Sequence, residues 1–148
     1  MPQNDRYGRP EDLNQLIRAA HDRNMMVYLD VVYNHFGPQL NFLHSYAESF
    51  FTNRHSRGWG PAVNLEGRDG QSVRQFLIAN ALMWLRDYCF DGLRFDAVHA
   101  LKDDSERHFL VELAQTIRSQ LGIFTAVCVA LKQRHCVLMS AHLHGIIL

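Results

Sequence analysis

The chain has 148 residues, 47% of them hydrophobic and 20% charged, the composition of one globular domain with a real core. Fifteen basic residues balance fifteen acidic ones, which excludes the one-signed field of a nucleic-acid or membrane-surface binder. There is no apolar run of the roughly eighteen residues that a membrane span needs, and Met-Pro-Gln-Asn-Asp-Arg at the start has no signal-peptide core. Cys89, Cys128 and Cys136 form neither an even set nor a metal-type spacing, so a cytoplasmic protein without a bound metal is the expectation.

Residues 10–24 open with Pro10, Glu11 and Asp12, types that suit the first turn of a helix because its free N–H groups favour proline and negative charge. Leu13, Leu16, Ile17 and Ala20 follow at helical spacing, and Asn24 suits the C-terminal end. Residues 25–32, MMVYLDVV, form a short continuous apolar run rich in β-branched side chains, the pattern of a strand buried on both faces in a parallel sheet. Residues 36–69 are rich in Gly, Pro, Asn and His without a period, which predicts a long excursion loop, and loops of that length are commonly functional.

A second helix is expected from Ser72 as its N-cap through Val73, Phe76, Leu77, Asn80, Ala81, Trp84, Leu85 and Tyr88. Asp91-Gly92 turns the chain into a second strand over residues 93–98, and a third helix begins at Ser105 and continues through Phe109, Leu110, Leu113, Ala114 and Ile117. This alternation predicts βα units around a parallel sheet, with an open doubly wound sheet and a closed barrel both compatible with the pattern. The apolar run at 123–131 is a possible further strand. All fifteen acidic residues lie at or before Glu112, and the remainder holds only Arg118, Lys132 and Arg134 as charged residues. Such a shift marks either a domain boundary or a change of reading frame.

Two polar clusters sit at the C-terminal ends of the two strands: Asp30 with Asn34 and His35, and Arg94 with Asp96 and His99. That edge of a parallel sheet is where side chains from several strands converge on ligands. Asp30, Arg94 and Asp96 alternate with apolar residues, so some of these charges are expected to be buried and therefore paired. A structural ion pair of Arg94 with Asp30 or Asp96 explains the charges as well as a site does, and each histidine alone is more often a satisfied loop residue.

The local sequences shift that balance. DVVYNH at 30–35 and GLRFDAVHA at 92–100, in this order, closely resemble the first two conserved regions of glycoside hydrolase family 13, the α-amylase superfamily. The stretch between them, with DAVHALKDDSERHFLVELA after, resembles most the malto-oligosyltrehalose trehalohydrolase group rather than branching or debranching enzymes. The resemblance covers residues 7–118. It implies an α/β fold that is part of a (β/α)8 barrel, about strands three to five with their helices and a long excursion after the third. It also implies a cofactor-free retaining hydrolysis of the α-1,4 bond linking trehalose to a maltooligosaccharide. By motif position Asp96 is the nucleophile and Arg94 orients and ionises it. His35, Asp30, Asn34 and His99 line the substrate rim, and the substrate is a maltooligosaccharide or maltooligosyl trehalose.

A retaining glycosidase needs a second carboxyl about 5–5.5 Å from the nucleophile to protonate the leaving oxygen. The family places a Glu at the end of the fifth strand, yet IFTAVCVALKQRH, in the corresponding region, has no acid. Glu106 and Glu112 fall on the third helix, where solvated positions are expected. The sequence thus divides into a partial catalytic barrel at 1–118 and an aberrant or frame-shifted tail at 119–148. The expected protein is an inactive remnant of a hydrolase, with a non-catalytic α-glucan binder as the alternative. Trp59, Phe42, Tyr46 and Phe51 suit sugar stacking or, more commonly, loop packing.

Overall fold

In the computed structural model, which describes residues 8–36, 42–55, 61–122, 126–131, 135–138 and 145–147, helix α1 spans Pro10–His21 and buries Ile17. The backbone N–H of Arg9 donates to Asp12 Oδ2 at 2.7 Å, an N-terminal cap that the acidic first turn supplies. Asn24 takes the left-handed conformation, φ 55°, and reverses the chain into strand β1, Met26–Val31.

β1 is buried on one face and partly open on the other. Val27 and Val31 join the core, whereas Asp30 and Val32 are exposed, which corrects the expectation of a strand covered on both sides. The cause is side-chain alternation: Asp30 and Val32 point away from the helices, and none of the described elements covers their end of that face.

The excursion after β1 is more structured than its composition predicts. It holds a short helix α2 (Leu43–Tyr46), a 3-10 turn (Glu48–Phe50), and an antiparallel ribbon of β2 (Phe51–Thr52) with β3 (Ala62–Val63). Phe36 meets Phe51 and Phe50 edge-on, with ring centroids 5.7 and 6.4 Å apart, and Phe50 meets Phe76 at 5.2 Å. These rings are packing residues, whereas Phe42 and Tyr46 lie exposed. Trp59 lies outside the described residues.

Helix α3 runs Gly67–Arg86 and so starts earlier than the expected cap at Ser72. Two glycines explain the difference. Gly67 adopts φ 67°, and a Cβ on Gly70 would stand 2.8 Å from the backbone carbon of Leu65. The first turn therefore folds directly against the chain that enters it. Asp91 then accepts at Oδ2 from the N–H of Val27 at 2.7 Å and from His21 Nε2 at 2.9 Å, pinning the start of β4 (Gly92–Phe95) to β1 and to the end of α1. β4 is shorter than expected because Ala97 turns left-handed at φ 48°, and residues 98–100 form a 3-10 turn.

Helix α4 spans Phe109–Leu121, beginning after the expected start at Ser105. Asp103 accounts for this shift: its Oδ2 accepts from the N–H of Phe109 and its Oδ1 from the N–H of Ser105, so residues 103–108 form a fastened loop. Glu106 accordingly lies before the helix, not on it.

The sheet has the order β6-β5-β4-β1-β7, with β5 at Ala126–Leu131, β6 at His135–Leu138 and β7 at Gly145–Ile147. β1, β4, β5 and β7 are parallel, and β6 returns antiparallel to β5. Leu93, Phe95, Val27 and Val31 pack against Val73, Leu77, Ala81 and Leu85 of α3 and Phe109, Leu113 and Ile117 of α4 in one core. Burying such side chains stabilises by about 1.5–3 kcal/mol each. No described helix is long and apolar enough to cross a membrane.

Candidate active site

Because β1 and β4 run parallel, their C-terminal ends open at the same edge of the sheet. The register sets Asp30 beside Arg94 and Val31 beside Phe95. Val31 and Phe95 turn into the core, so alternation turns Asp30, Arg94 and Asp96 to the opposite face. Arg94 Nη1 donates to Asp30 Oδ2, and Arg94 Nη2 lies 3.8 Å from Asp96 Oδ1. One guanidinium thus stands between two carboxylates.

The structural ion pair considered from sequence is present, and so is a second, looser pairing to Asp96. The expected burial is not found: the Asp96 side chain is 51% exposed, Asp30 34% and Arg94 26%. Solvent reaches this face because α1, α3 and α4 pack on the other side of β1 and β4.

The buried member of the cluster is Asn34, 3% exposed. Its Nδ2 donates to the carbonyls of Asp96 at 3.1 Å and Ala97 at 3.2 Å. These bonds hold the left-handed turn directly after Asp96, a conformation that a non-glycine residue adopts only when its surroundings fix it. With the amide nitrogen committed, Oδ1 of Asn34 faces His35 and accepts from its Nδ1. That bond engages Nδ1 and leaves Nε2 as the second polar atom of the imidazole. His35 also bridges to Ala62 of β3, so the excursion ribbon is stitched to the rim. Tyr33 packs edge-on to Phe95 at 5.4 Å and donates to Asn80 Oδ1 at 2.7 Å, and its burial pushes the phenol pKa up.

The sequence-derived residues Asp30, Asn34, His35, Arg94 and Asp96 thus form one hydrogen-bonded and ion-paired group. His99 sits exposed in the 3-10 turn that follows it. Among the described residues, His55, Glu66 and Asp104 bring possible metal-ligand atoms within 4.8 Å of one another. Glu66, however, already accepts from Arg54 at 2.9 Å, His55 at 3.0 Å and the N–H of Asp104 at 2.9 Å. Its carboxyl is held below the usual range, first by the Asp104 N–H and then by His55.

A further group escaped sequence reasoning. Arg74 is 4% exposed and bonded to Asp103 and to Glu112, whose side chain is only 20% exposed and not the solvated position expected. The available signal was its helical spacing from Leu77, Ile78 and Ala81, which places a guanidinium on an apolar face.

The model of the family described as Alpha amylase, catalytic domain, matches residues 3–72. A malto-oligosyltrehalose trehalohydrolase of Deinococcus radiodurans is 54% identical over 116 residues, 78% of this chain and 19% of the relative. The chain belongs to the α-amylase family. It spans about one-fifth of the length of the curated relatives it matches. Among solved structures, this α-amylase-family chain is similar to a putative α-amylase from Salmonella typhimurium, at TM-score 0.74 and 40% identity. That match covers 85% of this chain and 21% of the other. It is also similar to a pullulanase from Bacillus subtilis complexed with maltose, at TM-score 0.60 and 28% identity, covering 78% and 16% respectively.

Proposed function

We propose that this chain carries the nucleophile half of a retaining α-glucosidic active site, built on part of a (β/α)8 barrel, without the general acid. The observation that carries this reading is Arg94 lying between Asp30 and Asp96 at the ends of two adjacent parallel strands, with Asn34 tying the turn after Asp96. The strand next to β4, Ala126–Leu131, contains no carboxylic acid.

Asp96 attacks the anomeric carbon and forms a glycosyl ester while the aglycone oxygen departs, and water then cleaves the ester. Arg94, held by Asp30 and 3.8 Å from Asp96, limits the directions the nucleophile can take. His35 meets a sugar hydroxyl at Nε2, and Asp30, Asn34 and His99 complete the rim. The relatives' names support a trehalose-capped maltooligosaccharide as substrate. An aglycone alkoxide is a poor leaving group, and loss of general acid catalysis costs about 10²–10⁴-fold. The composition change after Arg118 supports reading residues 119–148 as the product of a shifted frame, which resequencing the coding DNA with translation in three frames checks.

The test uses a substrate whose leaving group needs no proton. With α-maltosyl fluoride the chain is expected to release fluoride, Asp96→Asn to release none, and maltooligosyl trehalose to stay uncleaved. Equal fluoride release by the parent and Asp96→Asn would sink the assignment of the nucleophile.

A further inference from the structure

Three residues with buried polar side chains, Asn34, Glu66 and Arg74, reach toward one stretch of backbone. Asn34 donates to Asp96 and Ala97, Glu66 accepts from the N–H of Asp104, and Arg74 holds residues 103–107. They come from the loop after β1, from the end of the excursion and from α3. The stretch they share is the connection from β4 to α4, which begins with Asp96.

Arg74 spends every donor. Its Nε donates to the Leu65 carbonyl at 2.8 Å, and Nη1 donates to Glu112 Oε2 at 2.6 Å and to the Arg107 carbonyl at 3.1 Å. Nη2 donates to Asp103 Oδ2 and Ser105 Oγ. A guanidinium has five N–H groups, and here five acceptors meet them. Three of the five belong to residues 103–107, so most of its bonding serves the loop and not the helix that bears it. Asp103, with a fully buried side chain, passes the constraint on to Ser105 and to the first turn of α4.

We propose that Arg74 is a positioning residue for Asp96, acting through the loop between them; this rests on Asp96 being the nucleophile. Asn34 fixes the near end of that loop and Arg74 its far end. Between the two anchors lie the 3-10 turn 98–100 and buried Leu101, so movement at 103–107 is transmitted to the Asp96–Ala97 turn. A displacement of about 1 Å at a reacting group can cost on the order of 10²-fold in rate. Lysine keeps the charge but not the planar fork, and it has three donors for five acceptors.

The test compares Arg74→Lys with the parent 148-residue chain by amide hydrogen exchange and by fluoride release from α-maltosyl fluoride. The expected result is at least about tenfold faster exchange at residues 97–109, with β1 and α1 unchanged. Alongside it, kcat falls about tenfold or more and KM moves by less than about threefold. Unchanged exchange at 97–109, loosening spread evenly over β1, β4 and α1, or a loosened loop with kcat intact would each overturn the proposal. If Arg74→Lys does not fold, Ser105→Ala removes one acceptor and carries the same comparison, with an expected loosening of about threefold. A parent chain that releases no fluoride removes the nucleophile reading, and the exchange result then decides separately whether Arg74 holds the loop.

Discussion

Two arginine clusters divide the labour of this small α/β unit. Arg74 is enclosed, its acceptors are all protein groups, and Asp103 beside it is fully buried. Arg94 stands on the open face of the sheet between two partly exposed carboxylates. A charge removed from water must have every hydrogen bond met by the protein, so the closed cluster has no valence left for a ligand. The open cluster keeps part of each side chain accessible to solvent, as a ligand contact would require. The closed cluster can thus act only through the loop it holds, whereas the open one presents its own side chains.

The largest test of that contrast is Arg74→Ala, which leaves Asp103 buried without its cation and is expected to lower stability by about 3–5 kcal/mol in urea denaturation. Asn34→Ala comes next. It strips two carbonyls of their donor and should cost about 1–3 kcal/mol, with faster exchange at Ala97 and Val98. Arg94→Met is expected to change stability by less than about 1 kcal/mol, because solvent screens its pairs, while abolishing Asp96-dependent fluoride release. A loss as large as that of Arg74→Ala would erase the distinction between the clusters.

Acid sharpens the same comparison. Burial pushes the Asp103 carboxyl up, but hydrogen bonds from Ser105 and the Phe109 N–H, with the charge of Arg74, outweigh it and leave the group lowered. Glu66 is lowered as well. A carboxyl with a depressed folded-state pKa contributes stability above its unfolded value, about 3.9 for Asp and 4.3 for Glu, and loses it as pH falls through the folded value. Stability should therefore drop from about pH 5 downward, and Asp103→Asn should flatten that slope. An equally steep acid limb in the variant would show that Asp103 is not among the groups responsible.

What was legible in the sequence followed from periodicity and short motifs. Leu13, Leu16, Ile17 and Ala20 marked α1, and the apolar run ending in Asp30-Val31 marked β1. The motif residues Asp30, Asn34, His35, Arg94 and Asp96 come together at one edge as their strand-end positions predict. Helix starts were less legible, since the first turns of α3 and α4 depend on non-local contacts: Gly70 packs against Leu65, and Asp103 reaches Phe109. The β2–β3 ribbon was hidden because two-residue strands carry no alternation to read. Asn34 bonding to a carbonyl 62 residues away belongs to tertiary structure alone.

Asp91 sits at the opposite end of the sheet from these groups, where it clasps the beginning of β1, the beginning of β4 and the tail of α1. Strand registration is thereby set at the edge away from the Asp30–Arg94–Asp96 group. Loops at the other edge can be exchanged, lengthened or recharged without the pairing of β1 and β4 slipping.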